Sequence, residues 1–141
     1  MKFQYMDYKV DIGIEKYEFN DIKNLDFEDD RNWLIVKVVY QKEKGSKTIK
    51  KDAALLVSEL VDLREWFYNI QFDNNIDDLN FLEPCLSFSF NQNFLTIELC
   101  FELSLYDKGE ECTEIKLHLD SKNIQDYLEE LDRYIKKFPS R

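Results

Sequence analysis

Alternation between apolar and polar residues is the clearest pattern in the first part of the chain. From Tyr8 to Ile14, apolar residues occupy every second position, a period typical of a half-buried β-strand. The segment NWLIVKVVYQ (32–41) is rich in β-branched and aromatic residues, and KEKGS (42–46) supplies a turn before KTIKKDAALLV (47–57). These patterns predict a strand followed by a hairpin with a basic tip.

Helical spacing follows the predicted hairpin. Apolar residues recur there at intervals of three and four positions, which predicts an amphipathic helix with this buried face: Leu60, Leu63, Phe67 and Ile70. We expect Ser58 to cap this helix, because a serine side chain can accept a hydrogen bond from the first backbone amides. The same spacing predicts a last helix, capped by Asp120 or Ser121 and ended by Pro139, with this face: Ile124, Tyr127, Leu128, Leu131, Ile135 and Phe138.

Between the two predicted helices, alternation returns in three segments, 86–90, 95–105 and 115–119. The predicted order of elements is therefore β-β-β-α-β-β-β-α. We expect an α+β fold in which a mostly antiparallel, twisted sheet of about six strands carries two helices on its apolar face. Residues 1–141 should form a single domain, because 141 residues is a common length for one hydrophobic core.

One face of the second-half strands carries carboxylates and the single histidine. A three-residue loop at 107–109 would place Glu98 opposite His118 and Glu102 opposite Glu114. These residue types can bind metal, but no two of them have HxxH or HExxH spacing. Glycine-rich phosphate loops and GxSxG are also missing from the sequence. We therefore expect no metal, no cofactor and no catalytic residue, and a metal-dependent or carboxylate-dependent enzyme is the second alternative function.

The three cysteines indicate the redox environment in which the protein works. They form no CxxC pair and are odd in number, which favours a reducing environment. A two-residue turn at 92–93 would place Cys85 opposite Cys100, and we expect both to be reduced packing residues. Asp7 and Asp11 interrupt the apolar run that a signal peptide needs, and no apolar segment is long enough to span a membrane. These features predict a cytoplasmic protein.

Acidic residues are the strongest chemical signal in the sequence. The net charge is −10, which disfavours direct binding to nucleic acid or an anionic membrane and favours a basic protein partner. Acids gather in DFEDD (26–30), DNNIDD (73–78) and DKGEECTE (107–114). Such runs are also typical of solvated loops. Nearby aromatic residues could anchor a partner, although most of them should be core. We predict a partner-binding surface with these residues: Asp26, Glu28, Asp29, Asp30, Asp73, Asp77, Asp78, Glu110 and Glu111.

Four segments resemble the WapI family of bacterial immunity proteins: DDRNWLIVKV (29–38), LVDLREWF (60–67), FLEPCLSFSF (81–90) and LEELDRYIKKFPSR (128–141). Proteins of this family are encoded beside the toxin WapA, whose C-terminal domain is a nuclease that cleaves tRNA. The resemblance implies a non-enzymatic protein that neutralises the basic C-terminal nuclease domain of a cognate toxin by direct, noncovalent inhibition. It leaves open the identity of the toxin, the mode of inhibition and self-association. The first alternative function is an acidic adaptor or structural interaction module without a toxin partner.

Overall fold

A computed structural model of the chain shows two antiparallel four-stranded sheets and two helices. It describes residues 1–5, 8–21, 23, 25, 27, 29–42, 47–73, 76–91, 94–100, 112–119 and 121–141. The first sheet contains, in spatial order, β1 (Lys2–Tyr5), β2 (Tyr8–Tyr17), β3 (Trp33–Lys42) and β4 (Lys47–Leu56). The second contains β5 (Leu79–Asn80), β6 (Leu86–Asn91), β7 (Phe94–Cys100) and β8 (Cys112–His118). The helices are α1 (Val57–Asn69) and α2 (Ser121–Lys137), and a short 3-10 turn, Asp29–Arg31, precedes β3.

The predicted α+β class and the predicted order of elements are confirmed. Two strands add to the six that were predicted, β1 with four residues and β5 with two. Alternation cannot reveal strands this short, because a period of two needs several repeats to stand out. The strands form two sheets and not one. In the described chain, β1 to β4 pair with one another, α1 follows β4 directly, and β5 to β8 form the second sheet.

Apolar residues of both sheets and both helices form one buried cluster. Phe67 of α1 is at its centre and is fully buried. Its ring lies 5.9 Å from that of Phe88 in β6 and 5.5 Å from that of Tyr127 in α2, measured between centroids. Burial of a side chain of this size contributes about 1.5–3 kcal/mol to folding. Phe67 therefore joins α1 to the second sheet and to α2.

The start of α1 differs from the prediction. The helix begins at Val57, so Ser58 lies in its first turn and the predicted cap is wrong. The carboxylate of Glu59 instead accepts a hydrogen bond from the backbone N–H of Leu56 at 2.8 Å. It also accepts one from the backbone N–H of Leu82, ahead of β6. A glutamate near a helix start satisfies backbone donors that the helix leaves open, so here it replaces the serine.

The predicted register is confirmed for β6 and β7, where the Cys100 amide donates to the carbonyl of Cys85 at 2.9 Å. Cys85 remains a thiol, but Cys100 is disulfide-bonded, so the expectation of reduced cysteines is wrong for Cys100. The predicted register of β7 and β8 is also wrong, because Glu98 lies opposite Glu114. Cys100 pairs with Cys112, so the connection is longer than three residues. The predicted loop and Glu102 lie outside the described residues.

The N-terminus is part of the buried structure. Met1 is 3% exposed, and its ammonium group donates to the carbonyl of Ile12 and pairs with the Glu130 carboxylate of α2 at 2.7 Å. Further along α2, the Tyr134 hydroxyl would be 3.3 Å from a Cβ at position 13, so Gly13 leaves room for this close approach. In the described part of the chain, neither helix is long and apolar enough to cross a membrane.

Candidate partner-binding surface

A groove lies where β4 of the first sheet meets the outer face of the second sheet. Its main cavity, about 420 Å³, is lined by carboxylates from three places: Asp52 of β4, Glu83 ahead of β6, and Glu98 of β7. A second cavity of about 250 Å³ shares Glu98 with the first and adds Asp78 and Glu114. Elements distant in sequence therefore bring five carboxylates to one continuous concave surface.

Strand pairing explains why the carboxylates of the second sheet are close together. Glu98 of β7 lies directly opposite Ser87 of β6 on one side and Glu114 of β8 on the other. The Ser87 hydroxyl is 3.5 Å from the Glu98 carboxylate, and Lys116 pairs with Glu114 at 3.1 Å. Directly opposed like charges destabilise a sheet. The pairing of Glu98 with Glu114 thus stores an unfavourable interaction that a cation could relieve.

Among the described residues, few basic groups neutralise this negative charge. In the parts of the chain that the structure describes, no basic group forms an ion pair with any of four groove carboxylates, Asp52, Asp78, Glu83 and Glu98. The pair between Lys116 and Glu114 is well exposed, so water and salt screen it strongly. The groove consequently presents net negative charge to the solvent.

Acidic character continues from the groove to the end of β2. Burial raises the pKa of the Glu18 carboxyl, and the charges of Asp52 and Asp30 raise this pKa further. Asp52 and Asp30 are therefore each close enough to Glu18 to repel its charge. Three positions before Glu18, a hydrogen bond from Lys51 lowers the pKa of Glu15. The repulsion between carboxylates at Glu18 therefore does not extend along β2 to Glu15. We define the acidic band as the following residues: Glu18, Asp30, Asp52, Asp78, Glu83, Glu98 and Glu114.

The C-terminal residue holds the turn that carries Asp30. The Arg141 side chain donates to the carbonyl of Arg31 at 3.0 Å and to that of Phe19 at 2.8 Å. Its guanidinium group also lies 3.6 Å from the centroid of the Tyr17 ring, a cation–π contact. Asp30 is thus positioned by contacts that involve a residue more than a hundred positions away in sequence.

The predicted site residues fall into several groups. Asp30 and Asp78 belong to the acidic band, and Asp29 begins the 3-10 turn that contains Asp30. Asp73 and Asp77 are exposed after α1, and the carbonyl of Asp77 accepts a hydrogen bond from the Trp66 indole at 2.9 Å. Their role in binding stays a prediction. The remaining candidates lie outside the described residues: Asp26, Glu28, Glu110 and Glu111.

Other members of the band were missed as partner-binding residues. Glu18 directly follows β2 and Asp52 lies within β4 after two lysines, so no acidic run marked them. Alternation placed Glu98 and Glu114 on the outer face, but the enzyme alternative assigned them to a metal site. The His118 ring lies edge-on to that of Phe94 at 5.5 Å. Over the described ranges, no group of three or more His, Cys, Asp or Glu residues is arranged to hold a metal ion.

Comparisons with known proteins identify the family. The profile of the immunity protein WapI-like family matches residues 5–139. A solved structure titled "Structure of the plant transcriptional regulator PBF-2" is similar, with a TM-score of 0.52 and 10% identity over 98% of this chain and 80% of that chain. At this identity the likeness shows the fold alone. No curated protein matches the sequence significantly. The protein belongs to the immunity protein WapI-like family, which implies toxin-neutralising immunity and a cognate toxin partner.

Proposed function

We propose that this protein neutralises the C-terminal nuclease domain of its cognate toxin, a tRNase, by direct and noncovalent binding in the cytoplasm. The acidic band, together with the acidic residues predicted from the sequence, forms the binding surface. In this proposal residues 1–141 act as one domain, because both sheets and both helices share one buried cluster, and this domain acts without catalysis. The observation that carries the proposal is the concave set of five carboxylates, four of which form no ion pair with a basic group among the described residues.

Charge complementarity supports this partner. A domain that binds the phosphates of tRNA needs a basic surface, and a net charge of −10 steers such a domain into encounter. Lysine or arginine side chains entering the groove would reduce the repulsion between Glu98 and Glu114. They would likewise favour the ionised form of Glu18, whose pKa is raised in the unbound protein. Binding therefore gains from interactions that folding leaves unfavourable.

The first test is co-purification with the C-terminal domain of the toxin encoded by the neighbouring gene, followed by a tRNA cleavage assay. We expect a stoichiometric complex that abolishes cleavage. A complex that leaves cleavage intact would contradict inhibition. Failure to form a complex even at low salt would contradict direct binding to that toxin and would favour an acidic adaptor without a toxin partner.

A charge-matched pair of variants tests the acidic band itself. Glu83→Gln with Glu98→Gln removes two charges from the groove, whereas Asp126→Asn with Glu129→Gln removes two exposed charges from α2. We expect the groove variant to associate roughly tenfold more slowly and with a weaker salt dependence, because steering depends on local charge. Equal association rates for the two variants would assign the effect to net charge alone.

A further inference from the structure

The exposed side of α1 carries two large aromatic residues. The Tyr68 side chain is 46% exposed and Phe72, just beyond the helix, is 74% exposed. Their rings are in T-shaped contact with centroids 5.2 Å apart. Glu65 and Val61 precede Tyr68 at helical spacing, and Val61 is also exposed. We define the α1 patch as Val61, Glu65, Tyr68 and Phe72.

The α1 patch has a rigid support. The opposite side of the helix is buried through Trp66 and Phe67, and the Trp66 indole is hydrogen-bonded to the carbonyl of Asp77. Directly after the helix, the backbone N–H of Phe72 donates to the carbonyl of Asn69 at 2.9 Å. Aromatic side chains on a fixed backbone lose little conformational entropy on binding, since few torsions remain to be ordered. The patch is therefore preorganised for contact.

The surroundings of the patch are strongly acidic. Residues 57–83 contain one basic residue, Arg64, against seven acids, a local net charge of 1 − 7 = −6. Arg64 is already paired with Asp132 of α2 at 2.9 Å. The seven acids are Glu59, Asp62, Glu65, Asp73, Asp77, Asp78 and Glu83. An exposed aromatic pair within such a region complements a basic protein surface that contains an apolar depression.

The patch is also linked to the acidic band. Trp66 of α1 binds the carbonyl of Asp77, and the next residue, Asp78, lines the groove. The segment after α1 therefore connects this helix to the groove. Ile49 of β4 is 50% exposed, and strand alternation places it on the opposite face of β4 from Asp52. Ile49 thus provides an exposed apolar control outside both the band and the patch.

We propose that the α1 patch is the hydrophobic anchor for the basic toxin domain, with Tyr68 and Phe72 entering an apolar depression whose lysine and arginine rim faces the surrounding acids. This inference rests on the proposed function. The band and the patch affect different rate constants of binding. Long-range charge in the band sets the association rate, whereas desolvated aromatic contacts in the patch set the dissociation rate.

The test measures binding kinetics on the immobilised C-terminal domain of the neighbouring toxin. We expect Phe72→Ala and Tyr68→Ala each to raise the dissociation rate at least about tenfold, with an association rate within about twofold of wild type. Phe72→Leu should restore part of the loss, because it returns apolar contact area. Ile49→Ala should leave both rates unchanged. Melting temperatures equal to wild type will show that the patch variants remain folded.

The outcomes separate the two proposals. If the wild-type protein binds but both aromatic variants dissociate within about twofold of its rate, the anchor is overturned and the proposed function stands. An equal rise in the dissociation rate for Ile49→Ala would also overturn the anchor, since the effect would not be specific to the patch. If the wild-type protein does not bind, the proposed function fails and the anchor fails with it.

Discussion

The two helices of this protein use similar residues in different ways. Around α2 and the chain ends, aromatic and charged groups contact one another. The rings of Tyr17 and Phe138 are 5.3 Å apart, Arg141 lies over Tyr17, and the Met1 ammonium pairs with Glu130. These contacts connect residues far apart in sequence and so hold both chain ends against the rest of the fold.

Around α1, the corresponding groups face the solvent. Tyr68 and Phe72 contact each other but remain exposed, and within the described chain no basic side chain forms an ion pair with Asp62 or Glu65. The comparison teaches that residue type alone does not distinguish a structural contact from a binding surface. What distinguishes them is how much of each side chain the fold covers, since Phe138 is 4% exposed whereas Tyr68 is 46% and Phe72 is 74% exposed.

The largest expected effect comes from replacing a buried aromatic residue of α1. Phe67→Ala should reduce the free energy of unfolding by about 3–5 kcal/mol, because it leaves a cavity between α1, β6 and α2. Phe72→Ala, five residues later on the exposed side, should change it by no more than about 0.5 kcal/mol. Urea unfolding measures both values. A similar loss for the two variants would remove the contrast between the sides of α1.

The next effect concerns the chain end. Arg141→Ala removes hydrogen bonds from a charged group to the carbonyls of Phe19 and Arg31, so the free energy of unfolding should fall by about 1.5 kcal/mol. Arg133→Ala is the matched control, because Arg133 is exposed on α2 and its side chain donates a long hydrogen bond of 3.4 Å to the Glu129 carbonyl. Thermal unfolding should show a lower melting temperature for the Arg141 variant alone. Equal melting temperatures would show that Arg141 does not stabilise the fold.

A smaller effect is expected at the start of α1. Glu59→Ala should cost about 1 kcal/mol, since the backbone N–H groups of Leu56 and Leu82 lose their acceptor. Glu65→Ala is the control, because the exposed Glu65 side chain accepts no such bond in the described structure. Hydrogen exchange at the Leu56 and Leu82 amides should accelerate only in the first variant. Unchanged protection would mean that Glu59 does not join the helix to the second sheet.

The smallest effect is a dependence on pH. Burial, followed by the charges of Asp52 and Asp30, raises the folded-state pKa of Glu18. Its contribution to stability is therefore fully present below the unfolded pKa and is lost as the pH rises through the raised folded pKa. Glu18→Gln should be more stable than wild type at pH 7, and this difference should disappear in acid. Urea titrations between pH 4 and 8 measure it.

Glu15 provides the charge-matched control. A hydrogen bond from Lys51 lowers the pKa of Glu15, so its contribution is present above the unfolded pKa and is lost as the pH falls through the lowered folded pKa. Glu15→Gln should therefore be slightly less stable than wild type at pH 7. If the two variants shift stability in the same direction, the contrast between a paired and a crowded carboxylate is wrong.

Much of the fold could be predicted because it depends on local periodicity. Alternation located β2, β6, β7 and β8, β-branched and aromatic composition located β3, and helical spacing located α1 and α2. Details that depend on contacts between residues distant in sequence could not be predicted. Glu59 replaced Ser58 at the start of α1, and the pairing of Glu98 with Glu114 depended on a connection whose length the alternation does not encode.

The site could be predicted only in part, for a similar reason. Acidic runs mark loops, and they led to Asp30 and Asp78. Glu18 is a single acid directly after β2 and Asp52 a single acid in β4, and the pairing of β2, β3 and β4 brings them together. Helical spacing placed Phe67 on the buried face of α1, as observed, but it did not predict that Phe72 is exposed just beyond the helix.

The buried Met1 has a practical consequence for handling the protein. An affinity tag or fusion partner placed before residue 1 would convert the ammonium group into an amide, which removes its charge and its pairing with Glu130. The added peptide would also have to leave a site where Met1 is only 3% exposed. Weak binding measured with such a fusion would then reflect an altered structure around Met1. For the co-purification, the tag belongs on the toxin domain.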